Sequence, residues 1–209
     1  MYRLLKIGLP LALVVAWGIP AYSADEKMML PEESTLEIIL LRQKSVRAEL
    51  KVTDDVMDKV KKYASQQSKK AKEVSTLSEK EQDAKFDAMA RENYQFLEKT
   101  LSKTQHDRLQ QIALQVAGLV YVTRHDIAEK LKLTAEQKQK AKQLQNEART
   151  EFGKLLDAKD SKERHKEIVA LWDVNHGRLE KLLTESQKAT WKTMTGPEFK
   201  GEFEYASAP

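Results

Sequence analysis

Residues 131–141 read Leu131-Lys132-Leu133-Thr134-Ala135-Glu136-Gln137-Lys138-Gln139-Lys140-Ala141, and this stretch decides the fold. Thr134 stands where an N-cap hydroxyl accepts from the N–H three residues on. Gln137 stands where its side chain reaches back to the cap N–H, which completes a capping box. Glu136 in the first turn faces the positive end of the helix dipole. Beyond the cap, Ala141, Leu144, Ala148, Phe152 and Leu155 return at helical spacing. The stretch predicts a helix with a thin apolar stripe and a charged remainder.

The same pattern extends in both directions. Leu36, Ile39, Leu40, Val46 and Leu50 form one stripe, and Val56, Val60, Ala64, Ala71 and Val74 another. Phe86, Met89, Ala90, Phe96 and Leu97 make a third, followed by Leu109, Ile112, Ala113 and Val116, and later by Ile168, Leu171, Trp172, Leu179 and Leu182. No proline falls between Glu32 and Gly196, and only Gly118, Gly153 and Gly177 interrupt that span. Proline and glycine are the main breakers of helices, and alternating strand patterns with Asn-Gly or Asp-Gly turns are missing. The chain is predicted to be all-α. Its thin stripes point to elongated helical hairpins in a thin open bundle.

The chain also reads twice. Leu50-Lys51-Val52-Thr53-Asp54-Asp55 matches Leu131-Lys132-Leu133-Thr134-Ala135-Glu136, an offset of 81 (134 − 53). Leu97 to Gln105 matches Leu179 to Gln187, an offset of 82 (183 − 101). The expected organisation is an internal duplication: a leader at 1–24, a first helical repeat at 25–115, a connector at 116–123 where Gly118 breaks the pattern, a second repeat at 124–196, and a flexible C-terminal tail at 197–209. The shared string is Leu-Thr/Ser-x-x-Gln: Leu133-Thr134 to Gln137, Leu183-Thr184 to Gln187, and Leu101-Ser102 to Gln105. At Thr53 the Gln is replaced by Val56, and Val52 with Met57 hold the positions of a hydrophobic staple. Ser34 with Glu37 and Ser78 with Glu81 are further capping boxes.

The first residues are laid out as a secretory signal peptide. Arg3 and Lys6 precede an uncharged stretch from Ile7 to Pro20, then Ala21-Tyr22-Ser23-Ala24 and Asp25. The stretch is short for a membrane span, which takes roughly 20 apolar residues. Cleavage is expected after Ser23 or after Ala24, and the product is expected in the periplasm or otherwise exported, with no stable membrane insertion. The sequence has no cysteine, which excludes disulfide and thiolate chemistry. Lys and Arg number 36 and Asp and Glu 32. Without Arg3 and Lys6 the balance is near +2, which disfavours nucleic acid as the main partner because phosphate binding needs a concentrated positive face.

No nucleophile elbow, phosphate-cradling glycine loop, zinc pattern or HExxH string is present, so an enzyme is not expected, nor a cofactor. Glu163, His165 and Glu167 cluster in sequence, and His176 follows His165 by eleven residues. On one helix those two imidazoles lie about 16 Å apart at 1.5 Å per residue, too far for one ion, so no metal site is expected.

An exported, cysteine-free, charged helical chain with paired Leu-Thr-x-x-Gln strings resembles the LTXXQ-motif family, which includes Spy- and CpxP-like periplasmic proteins. Residues 131–194 carry the match, with Leu133, Thr134, Gln137, Leu183, Thr184 and Gln187 on the motif positions; residues 50–115 carry a weaker copy. The motifs within the second half lie 50 residues apart (183 − 133), closer than in that family's typical chains. The resemblance implies a cradle-shaped helical assembly, a homodimer, and ATP-independent binding of unfolded or partner polypeptides. Met57, Phe86, Met89, Phe96, Phe152 and Trp172 are the candidate client contacts. The alternative is an envelope-stress regulator docking on a signalling receptor, with a metal response as one form of it.

Overall fold

In the computed structural model, residues 35–156 and 161–203 are described. The helices are α1 (Thr35–Leu40), α2 (Lys44–Leu50), α3 (Asp54–Val74), α4 (Glu79–Thr100), α5 (Lys103–Ala117), α6 (His125–Lys130), α7 (Ala135–Leu156), α8 (Ser161–Leu182) and α9 (Glu185–Thr195), with a short 3-10 turn at Gly118–Val120. The fold is all-α, and no strand occurs among the described residues. The leader residues 1–24, Ser34 and residues 204–209 lie outside the described residues, as do the side chains of Glu163, His165 and Ile168.

Two compact units divide the chain. Of the described residues, one unit holds 35–113 together with the segment at 200–203; the other runs from Leu114 to Phe199. In the first unit the densest core gathers at the short helices. Leu36, Ile38, Ile39, Leu40 and Leu41 are all buried, with Val46, Leu50, Leu97, Leu109 and Ile112.

The long helix α3 carries a narrower seam. Met57, Val60, Ala64, Gln67, Ala71 and Val74 recur every 3.5 residues, the spacing of a helix packed on one partner. Met57, Val60, Gln67 and Val74 are buried, whereas Ala64 and Ala71 are only half-buried. Val60, Ala64, Ala71 and Val74 stand on the seam as the periodicity predicts; at the first position Val56 is half-buried and Met57 takes its place. Helix α4 runs antiparallel to α3. The Tyr63 hydroxyl donates to Asn93 Oδ1 (3.1 Å), while further along α3 Gln67 Nε2 and Lys70 Nζ both donate to Glu92 (3.0 and 2.7 Å). Tyr63 also stacks flat on Phe96 at 3.8 Å.

In the second unit α7 packs on α8. Arg178 grips Glu151 through both terminal nitrogens at 2.8 Å, the fork geometry that suits a carboxylate. Residues 116–123, expected as a connector, instead belong to this core: Val116, Ala117, Leu119, Tyr121 and Val122 are buried. Gly118 adopts φ 48, a left-handed conformation that glycine takes without steric cost, and so ends α5 in a turn that stays buried. Gln145 Nε2 on α7 then donates to the carbonyls of Leu119 (2.8 Å) and Val120 (3.0 Å), satisfying a buried turn. The tail is not free where it is described either: Phe199 and Phe203 are buried.

The element order recurs. Helices α2 and α6 start 81 residues apart (125 − 44), as do α3 and α7 (135 − 54); α4 and α8 start 82 apart (161 − 79), as do α5 and α9 (185 − 103). The local detail recurs with it. Lys51 and Lys132 both sit at φ 52, and the next N–H reaches back across each helix end, Val52 to the Arg47 carbonyl (3.0 Å) and Leu133 to the Ala128 carbonyl (2.9 Å). This is the Schellman closure of a helix by a left-handed residue.

Candidate functional site

The motif strings build helix starts, as their chemistry requires. Gln137 N–H donates to Thr134 Oγ1 and Thr134 N–H to Gln137 Oε1, both at 3.1 Å. Thr184 and Gln187 repeat the exchange at 2.9 and 3.3 Å, and Ser102 and Gln105 at 2.9 and 3.3 Å. Thr53 accepts from Val56 N–H at 3.5 Å. The leading leucines Leu101, Leu133 and Leu183 are all buried, so each string plants an apolar foot beneath its cap.

A helix start explains the hydroxyl but not why the last position is Gln and not Glu. The second unit supplies the reason. Gln137 Nε2 donates to the Leu182 carbonyl (2.8 Å) and to Gln187 Oε1 (2.7 Å), while Gln187 Nε2 donates to the Leu131 carbonyl (3.2 Å) and to Gln137 Oε1 (2.9 Å). Each amide oxygen accepts twice, once from its own cap and once from the other Gln. Each amide nitrogen donates twice. A carboxylate would close the capping box yet has no proton to donate, and two would repel. The four-bond clasp therefore ties the start of α7 to the start of α9 and to the end of α8.

The first unit holds half of it. Gln105 Nε2 donates to the carbonyls of Leu50 (3.0 Å) and Lys51 (3.4 Å), the counterpart of Gln187 reaching Leu131. Val56 stands where the second amide would be, and Arg108 bonds Glu49 instead (2.6 Å).

The candidate contact residues separate into two groups. Met57 and Phe152 are fully buried, 2% and 0% exposed, and in this conformation offer no surface to a client. Phe86, Met89, Phe96 and Trp172 are half-buried. Phe86 and Met89 lie on the face of α4 that also carries buried Ala90 and Asn93. On α3 the middle of the seam holds Ala64, Gln67 and Ala71, with Tyr63 stacked on Phe96. Leu77 and Tyr94 of the same unit are 38% and 41% exposed.

Trp172 belongs to a pocket that sequence reasoning missed. Its indole Nε1 donates to the Val116 carbonyl (3.3 Å), and its ring meets His176 at 4.4 Å. Gly118, Leu119, Gln145, Phe152 and Asn175 complete the wall around a cavity of about 20 Å³, about the size of one water molecule. Burial pushes the His176 imidazole below its ordinary value against the opposing fields of Glu180 and Asp173. The signals for this pocket in the sequence were Gly118 and the Trp172–His176 spacing of one helical turn. No group of three or more metal-ligating side chains gathers among the described residues, and no described helix is long and apolar enough to cross a membrane.

Compared with protein-family models, with curated proteins and with solved structures, the chain matches none. The likeness to LTXXQ-motif proteins thus rests on the motif residues themselves.

Proposed function

We propose that this chain is an exported, nucleotide-independent holdase, a protein that binds non-native polypeptides weakly and slows their aggregation. The observation that carries the reading is the partly exposed apolar face of α4. There, half-covered Phe86, Met89 and Phe96 lie among dense charge, an apolar strip open to a guest yet kept soluble by its flanks. Met and aromatic side chains suit such contacts because they adapt to many shapes. Release by simple dissociation requires weak binding, since such a protein acts by mass action on the unfolded state. The Leu-Thr-x-x-Gln strings contribute as scaffold, fixing the long helices at their feet and leaving the distal seam to bind.

The test is light scattering of two unrelated aggregating proteins with and without a several-fold excess of the protein lacking residues 1–24, in the absence of ATP. Slower onset for both clients is expected. Unchanged time courses for both would overturn the holdase and favour a regulator with one dedicated receptor.

A further inference from the structure

Helix α9 stops at Gly196, φ 65, and the chain continues without regular structure as Pro197-Glu198-Phe199-Lys200-Gly201-Glu202-Phe203. The dipeptide Glu-Phe occurs twice, four residues apart. Both phenylalanines are buried, at 1% and 7% exposure, while Glu198, Lys200 and Glu202 between and before them are exposed. An irregular segment that buries each aromatic and exposes each charge is docked, not trailing.

Its main chain is held as well. In the second unit Gln115 receives the Phe199 N–H on Oε1 (2.8 Å) and donates from Nε2 to the carbonyls of Thr195 (2.7 Å) and Pro197 (2.8 Å). Residues 200–203 pack with the first unit, where Ser45 Oγ on α2 donates to the Glu202 carbonyl at 2.5 Å. The first unit thus already grips an extended segment in the way peptide-binding sites do: a main-chain hydrogen bond that reads no side chain, beside a buried aromatic anchor.

We propose that the seat of Phe203 beside Ser45 is a docking site for extended polypeptide segments bearing an aromatic residue, and that residues 200–203 occupy it as a built-in competitor. This rests on the holdase reading for its biological use, but not for its chemistry. Such a tether presents its segment at an effective concentration on the order of millimolar. An outside segment therefore binds only when it outcompetes the strap, and the strap ejects it again once the aromatic is withdrawn into the client's own core.

The probe is a fluorescent peptide of residues 198–204 sequence, followed by anisotropy against the chain lacking residues 1–24. Phe203→Ala is expected to bind it at least tenfold more tightly than the unchanged chain, and a probe with both phenylalanines replaced by alanine to bind neither. Adding Ser45→Ala to Phe203→Ala, which removes the donor that the probe itself needs, is expected to weaken probe binding relative to Phe203→Ala alone. Helical circular dichroism of each variant checks that it folds. Equal, weak binding of the probe to the unchanged chain and to Phe203→Ala overturns the docking site. Tight probe binding by Phe203→Ala with no effect on client aggregation upholds the site and sinks the holdase instead.

Discussion

Gln137 and Gln187 illustrate how a five-residue string carries two kinds of information. The cap needs only an acceptor at the last position, and the clasp needs a donor too. Gln137→Glu keeps the acceptor and removes both donated bonds, so it is expected to cost about 1–3 kcal/mol by chemical denaturation. The reverse experiment is sharper. Val56 occupies the position in the first unit that Gln137 holds in the second. Val56→Gln is expected to close the Thr53 cap, reach the Thr100 carbonyl and pair with Gln105, raising stability by roughly 0.5–1.5 kcal/mol; a loss would mean that the two feet differ in shape despite their shared offset. A second residue-scale prediction concerns His176. Its folded-state value lies below the ordinary 6.5, so the unfolded chain binds a proton that the folded chain resists. Stability is then lost as pH falls below about 6.5 and is recovered as pH rises through that window. Urea midpoints taken between pH 7.5 and 5 should show this fall in the unchanged chain and a shallower one in His176→Asn. Trp172 fluorescence reports the same event locally.

At the scale of the element, much was legible and for a plain reason. Helix starts are local chemistry: a hydroxyl, an amide three residues on, and an apolar foot are all visible within five residues, and Thr134, Thr184 and Ser102 all cap as read. The clasp was not legible, because it joins side chains 50 residues apart and nothing in either string names its partner. The burial of 116–123 was not legible because Gly118 breaks a periodic pattern in the same way whether it opens a linker or a buried turn. The α3 stripe misses only at its first position, because Val56 and Met57 are both apolar and only packing chooses between them. The same seam yields the element-scale prediction. Phe86 and Met89 are only half-buried, so Phe86→Ser and Met89→Ser should remove little packing, costing on the order of 1 kcal/mol or less. Both should raise client off-rates in surface plasmon resonance. Met57→Ala should do the opposite, destabilising by about 2–5 kcal/mol with no specific change in client release from the protein that remains folded.

For the whole molecule, charge governs encounter and apolar contact governs residence. The chain carries 36 basic and 32 acidic residues, interspersed along every long helix. Raising salt to about 0.5 M shortens the reach of surface charge to a few ångströms, so client on-rates should fall several-fold while off-rates hardly move; stopped-flow measurements separate the two. One earlier feature also bears on time. Apart from Pro197 in the strap, the described residues contain no proline. Prolyl isomerisation, with its tens of seconds per event at 25 °C, therefore has no foothold within the described helices, which are expected to re-form from denaturant without a slow phase in the helical signal. A protein built in this way is ready again within moments of the insult that unfolded its neighbours, before most of them have sorted their own prolines. Its usefulness under stress would come as much from the speed of its own recovery as from the strength of its hold.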